Sequence, residues 1–405
     1  LPDGTIAWAI QQDHVVPDLL LLAGEWGLYF SPNGGTNWHK LSAGAPTIAF
    51  RDVKLHRRDD DIVGATFGRG IYILDDYSPL REIASGALAG RGGVMPVRDA
   101  WWYVPHLTNQ ATGRPTLGST AYAAPNPDFG ATLTYLVAET SQNPSDVRKA
   151  REKELRVSSA DVPFPGYDAL RAEAGESGAK VLLQISDAAG GPVRWLEGSA
   201  KAGLHRVTWD LRRPAPDPID LSTPGFIPPW VTDPIGPLAA PGMYSAQMLM
   251  VTATGVESMG DSQNFEVKPV PSAPGTDFVA VADFQYQTSE LQRRIGIASA
   301  ELGAQRDRLR YMRAALVRTP AADPALFGRI DDVGRSFDAI ALRLQGDRVR
   351  GSLNEPSVPS ISGRVGNVVG GHWSTRQNPT ATQRTNIEIA QRDFSVLERE
   401  LAALV

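Results

Sequence analysis

The chain has 405 residues, 42% of them hydrophobic and 21% charged, with a net charge of −5. That length suffices for two to four domains, the composition is that of a globular protein, and the net acidity excludes a basic nucleic-acid footprint. With no cysteine, disulfides and cysteine-based metal or nucleophile sites are excluded, and no run approaches the ~18 apolar residues of a membrane span.

The chain opens with Leu1 rather than Met, which reads as a processed or truncated product. Glycine (39) and proline (31) are plentiful and favour short strands and turns. Residues 1–85 contain a repeat. "LLLLAGEWGLYFSPNGG" (19–35) and "DIVGATFGRGIYILDD" (61–76) both run from an apolar stretch through a glycine turn into Gly-aliphatic-Tyr-apolar, with 43 positions between Leu28 and Ile71. A four-stranded propeller blade takes ~40–45 residues, and a closed ring needs ~4–8 blades. This stretch therefore predicts an incomplete set of last blades, with an open edge that upstream blades or another subunit must cover.

Within it, "SPNGGTNW" (31–38) predicts a tight hairpin. Asn33-Gly34-Gly35 supplies positive φ angles, Ser31 and Asn33 can bond loop amides, and Trp38 can pack beneath the turn. The pattern resembles the Asp-box, S-x-D-x-G-x-x-W, of sialidase-like and sortilin-like propellers. Ser31, Gly35 and Trp38 match it, and Asn33 stands in the Asp place. In those families the box is a structural hairpin away from the active centre.

The resemblance continues along the chain. "VGATFGRGIYILDDYSPLRE" (63–82) is similar to the end of the last blade in large secreted bacterial proteins labelled BNR-repeat "glycosyl hydrolases" or sortilin-like proteins. "YAAPNPDFGATLTY" (122–135), "ISDAAGGPVRWL", "GLHRVTWDLRRP" and "PGMYSAQMLM" resemble the segments that follow in them. The chain thus looks like the C-terminal portion of such a protein. That implies propeller blades, an immunoglobulin- or fibronectin-like sandwich and a helical tail.

Residues 86–114 read as a linker holding the aromatic cluster Trp101-Trp102-Tyr103, expected as linker core. Residues 115–270 read as an all-β sandwich, with strands at Val181–Ile185, Val193–Leu196, Gly203–Leu211, Met243–Thr252 and Asn264–Val267. A charged insertion at about 140–178 carries a short helix at Pro144–Leu155. The nine prolines between 214 and 241 exclude a central strand. Phe226, Ile227 and Trp230 in that loop are the partner-binding candidates, because a stiff loop presents aromatic anchors at low entropic cost. The competing reading folds them back over the sandwich or onto the helices.

After residue 277 the apolar period changes to three and four. Leu291, Ile295, Ala298, Leu302, Gln305, Leu309, Met312 and Leu316 form one stripe, Leu326 to Leu344 a second and Ile387 to Leu404 a third. Asp323-Pro324 and a Thr380/Gln383 capping box mark helix starts, and a shorter helix is expected from Ser360 to about Val369. A three- or four-helix antiparallel bundle over 277–405 is expected. The fold class is therefore multidomain, mainly β and then α.

No catalytic constellation is identifiable, and no cofactor or metal site is expected. The six histidines lie at least 17 residues apart and match no metal-ligating spacing, and His205 reads as structural. Asp59-Asp60-Asp61 reads as turn chemistry, with a calcium site as the competing reading. Asp75 and Asp76, taken as strand neighbours, would face opposite ways and could not flank a glycosidic bond together. Arg51, Arg69, Tyr72 and Asp76 are candidates for the relic of a sialidase-type surface. "FGRG" (67–70) is expected to let two strands approach closely.

The expected function is a non-catalytic, extracytoplasmic (periplasmic or secreted) scaffold or interaction subunit. It would dock on other protein subunits or upstream blades of a larger assembly, including a membrane-attached one, without a transmembrane anchor of its own and without nucleic acid. One alternative is the accessory portion of a secreted glycoside hydrolase whose active site lies in missing blades. A second is a carbohydrate-binding module, which requires an exposed Trp195 or Trp209; both are expected to pack inside.

Overall fold

A computed structural model describes all residues except 43, 87–91, 106–125, 141–142, 177, 220, 222–225, 227, 229–232, 253–254, 272–274 and 405. Among the described residues there are four sheets and eight helices, and the C-terminal region is helical. The chain divides into two compact units built from interleaved segments. Unit 1 comprises Leu1–Ala100, Pro125–Asp210 and Met243–Glu266; unit 2 comprises Trp101–Ala124, Leu211–Gly242 and Val267–Val405.

Unit 1 begins with a four-stranded antiparallel meander, β1 (Ala7–Gln12), β2 (Leu20–Gly24), β3 (Gly27–Ser31) and β4 (His39–Leu41), in that order. A three-stranded meander follows, β5 (Phe50–His56), β6 (Asp61–Thr66) and β7 (Ile71–Leu74). Leu21, Ala23, Leu28 and Phe30 of the first sheet share one core with Phe50, Val53 and Ile62 of the second and with Tyr77 and Leu80. Leu80 lies on the short helix α1 (Pro79–Ser85). A methyl group on Gly64 would stand 2.9 Å from both Leu28 and Phe50, so this glycine allows the two sheets to approach. The "FGRG" stretch plays a different part from the one expected. Gly68 and Gly70 have positive φ (76° and 85°) and nothing within 4 Å of a built Cβ, so they serve the β6–β7 turn.

Strands β8 (Gly92–Val94) and β9 (Ala100–Trp102) fall within the stretch read as linker, too short to show any periodicity. The rest of unit 1 holds two further sheets. One has the order β13 (Gly203–Trp209), β10 (Ala131–Val137), β8; the other carries β12 (Pro192–Gly198), β11 (Lys180–Asp187), β14 (Gly242–Thr252) and β15 (Gly255–Pro269) in sequence. Trp209 packs edge-on against Tyr244 and Phe265, with ring centroids 5.0 and 6.2 Å away. The charged insertion holds two helices rather than one, α2 (Pro144–Val157) and α3 (Tyr167–Gly175), tied by Arg148 to Glu173 at 2.8 Å.

In unit 2, α4 (Phe278–Val317), α5 (Ala325–Gln345), α7 (Ile361–His372) and α8 (Ala381–Leu404) contribute to one core; α6 (Arg348–Ser352) is a single short turn. The stripes predicted from spacing supply it: Leu291, Ile295 and Leu302 meet Phe337, Ile340, Leu344, Val365, Phe394 and Leu397. Asp277 caps α4 through the amides of Val279 and Ala280. The Thr380/Gln383 box closes reciprocally, at 2.8 Å from the Thr380 amide to Gln383 Oε1 and 3.2 Å from the Gln383 amide to Thr380 Oγ1. Trp102 is buried as expected, its Nε1–H donating to the Ala239 carbonyl at 2.8 Å, while Trp101 points outward.

Candidate functional site

The Asp-box residues form a hairpin that satisfies itself. Buried Ser31 Oγ accepts from the Gly35 amide at 2.8 Å and donates to Asn33 Oδ1 at 3.2 Å. Asn33 Oδ1 also accepts from the Asn37 amide at 2.8 Å. Gly34 and Gly35 adopt φ of 63° and 94°, and the half-buried Trp38 ring lies 3.8 Å from where a Cβ on Gly35 would stand. The polar atoms of Ser31 and Asn33 are thus turned to the loop itself.

Behind the hairpin sheets lies a charge network that periodicity could not reveal. Asp13, in the β1–β2 turn, is buried and accepts from Tyr77 Oη (2.5 Å), Arg81 Nε and Nη2 (2.9 Å each) and the amides of Val15 (3.0 Å) and Val16 (2.7 Å). Arg81 reaches on to Asp60 at 2.7 and 3.0 Å. Burial alone would raise the Asp13 pKa; the bonds from Arg81, Tyr77 and the two amides outweigh it and hold the carboxyl well below the usual range. Burial and the adjacent Asp13 push the Tyr77 phenol up. With five donors on it, Asp13 has little capacity left to act as a base. The network joins the β1–β2 turn, the β5–β6 turn and α1.

A second group lies at the β5–β6 turn. His56, Asp59 and Asp61 each offer a ligand atom within 4.8 Å of the others. Guanidinium and amide groups already hold two of them. Arg58 bonds Asp59 at 2.8 Å and lowers its pKa, and the Asp76 amide donates to Asp61 at 3.0 Å, with Arg98 3.7 Å away. Asp75 and Asp76 lie past the end of β7, not within it. Asp76 takes φ 52° and receives the Ser78 amide and hydroxyl, so strand alternation does not govern these two carboxylates. The suggested sialidase residues take separate roles: Arg51 stacks on Trp8 at 3.6 Å, Tyr72 packs on Phe50, and Asp76 caps Ser78. His205 stacks on Tyr135 and bonds the Lys201 carbonyl at 2.7 Å, as a packing residue would.

The outward face of β5-β6-β7 is open among the described residues. Pairing aligns Lys54, Val63 and Ile73 in one row and Asp52, Ala65 and Ile71 in the next. Ile71 is 68% exposed and Ile73 61%, while Tyr72 and Leu74 between them pack inward. Strand β7 is at the edge of its sheet. In the proline-rich loop Phe226 is 73% exposed, and Ile219 and Leu221 are each 91% exposed; Ile227 and Trp230 lie outside the described residues. The loop's first part folds back within unit 2, with Pro218 against Gly296 and Arg213 over Tyr286 at 4.1 Å. Of the two tryptophans expected inside, Trp209 is fully buried. Trp195 is not: it is 48% exposed, because the register places it on the outer face of β12.

No family model matches the chain, and no curated protein matches it in sequence. Among solved structures, CopC from Methylosinus trichosporium OB3b aligns with 45% of this chain and 99% of its own, at 8% identity and a TM-score of 0.18. The extracellular domain of a one-component system from B. thetaiotaomicron aligns with 67% of this chain and 26% of its own, at 10% identity and a TM-score of 0.15. At such TM-scores neither likeness carries a shared fold.

Proposed function

We propose that this chain is a non-catalytic scaffold or interaction subunit, the C-terminal portion of a sortilin-like, BNR-repeat propeller protein, working outside the cytoplasm. The observation that carries the reading is the outward face of β5-β6-β7. An apolar patch of Val63, Ala65, Ile71 and Ile73 beside a free strand edge suits another sheet, from upstream blades or another subunit. The first sheet has four strands and the second three, so one strand added along β7 gives both the four strands of a blade. Exposed Ile219, Leu221 and Phe226 in the proline-rich loop offer a second docking element. No helix among the described residues is long and apolar enough to cross a membrane.

Native mass spectrometry with peptide mapping of the protein from its source tests the reading. Co-purification with other subunits, lost on Ile71→Asp/Ile73→Asp substitution, or peptides of upstream blades in the same polypeptide, is the expected result. A lone monomer carrying neither overturns it. Upstream blades together with glycan-hydrolysing activity would favour the accessory portion of a glycoside hydrolase instead.

A further inference from the structure

We infer that the outer face of the β12-β11-β14 sheet carries a binding site for a neutral pyranose glycan, with Trp195 as its platform. Strand alternation sends Val181, Leu183 and Ile185 into the core, all fully buried, and turns Leu182, Gln184 and Ser186 outward. Pairing places Trp195 opposite Gln184, Gln184 opposite Gln247, and Glu197 opposite Leu182. Trp195, Gln184 and Gln247 therefore form one row across three strands, spanning two strand spacings or about 10 Å.

The chemistry of that row fits a sugar. A pyranose ring offers C–H bonds on its flat face and hydroxyls at its rim. The indole of Trp195 is exposed to take the apolar face. Among the described residues no ring or guanidinium stacks on it, in contrast to Trp8, which Arg51 covers. Directly beside it, the half-buried Gln184 amide has no hydrogen-bond partner among the described residues, so both its donor and its acceptor are free for hydroxyls. Gln247 Nε2 is engaged by the carbonyls of Met248 (3.2 Å) and Gly260 (3.2 Å), which leaves its side-chain oxygen to accept. The Glu197 carboxylate adds an acceptor, and its pairing with Lys180 at 3.5 Å leaves this part of the face without net charge, which suits a neutral sugar. Single exposed tryptophans are common on protein surfaces. The unpartnered planar amide directly opposite, on the same face, is what points to a hydroxyl-bearing ligand here.

The full chain is run in affinity gels containing soluble neutral polysaccharides (mixed-linkage glucan, xyloglucan, galactomannan) or polygalacturonate. Retardation by at least one neutral polymer and none by polygalacturonate is expected. Trp195→Ala should weaken that binding at least tenfold and Gln184→Ala severalfold, with melting temperatures unchanged because neither side chain is in the core. Migration unaffected by every neutral polymer, retardation by polygalacturonate alone, or equal retardation of Trp195→Ala would each overturn the site. None of these outcomes bears on whether β7 receives a partner strand.

Discussion

The first two sheets of unit 1 and the helices of unit 2 treat their apolar faces in opposite ways. In the helices the stripe Leu291, Ile295, Ala298 and Leu302 is at most 7% exposed, because α5, α7 and α8 supply the cover from within the chain. On β7 the outward residues Ile71 and Ile73 remain open, and the inward ones alone are packed. A helix can bury one stripe against neighbours a short loop away. A sheet has two faces, and an apolar one is buried only by a second layer. The contrast teaches that the helical stripe finds its cover within the chain, whereas the outward face of β7 finds none among the described residues.

The largest expected effect lies in the helical core. Phe394→Ala removes a fully buried ring and should cost about 3–5 kcal/mol, read as a lowered guanidinium midpoint of the helical circular-dichroism signal. Ile73→Ser on the open face of β7 should leave the stability of the lone chain within about 0.5 kcal/mol while weakening the partner capture proposed above. Equal destabilisation by the two would erase the distinction between the regions.

Next comes the buried charge network. Arg81→Ala strands Asp13, whose side chain is 0% exposed, and should cost about 3–5 kcal/mol. Tyr77→Phe removes one charge-assisted bond and should cost about 1.5–3 kcal/mol. Both are read by urea denaturation monitored by tryptophan fluorescence.

Acid should separate the two regions. His372 is buried, with Nε2 2.9 Å from the Gln377 carbonyl and Nδ1 3.3 Å from the Gln285 amide nitrogen, and Arg384 is the nearby cation. Burial first, and then that charge, lower its pKa below the ordinary 6.5. The unfolded chain therefore takes up the proton first, so the helical region's stability is full above about 6.5 and falls as pH drops through the folded value. Asp13 is also depressed, from an ordinary 3.8. Its contribution is full above that value and is lost only at more acid pH. Titrating from pH 7 to pH 3 should weaken the helices before the first two sheets, and His372→Gln should flatten the loss that begins below about pH 6.5. A smaller loss than in either core is expected at the cap: Thr380→Ala opens the reciprocal box at the start of α8 and should cost about 1 kcal/mol.

Much of this was legible along the chain because it is local. Leucine spacing fixed the helices, the Thr380/Gln383 box fixed a helix start, and Ser31, Asn33, Gly34 and Gly35 fixed a hairpin, since all partners lie within a few residues. Other features required partners distant in sequence. Asp13 meets Tyr77 and Arg81 across 64 and 68 positions, and nothing around Asp13 announces it. Asp75 and Asp76 read as strand residues until the left-handed φ of Asp76 placed them in a turn. The interleaving of two units could not be read from composition shifts, because segments far apart in sequence fold into the same unit.

Sequence by itself determined the geometry that is local: the long C-terminal helices, the Ser31–Gly35 hairpin and the Thr380/Gln383 cap, whose partners lie within a few residues. Tertiary structure alone decided which face of each strand is spent on the core. Trp195 and Trp209 both sit on strands of similar composition, yet one is half exposed and the other fully buried. The physical reason is that a strand has two equivalent faces, and register with neighbours elsewhere in the chain assigns one of them to water.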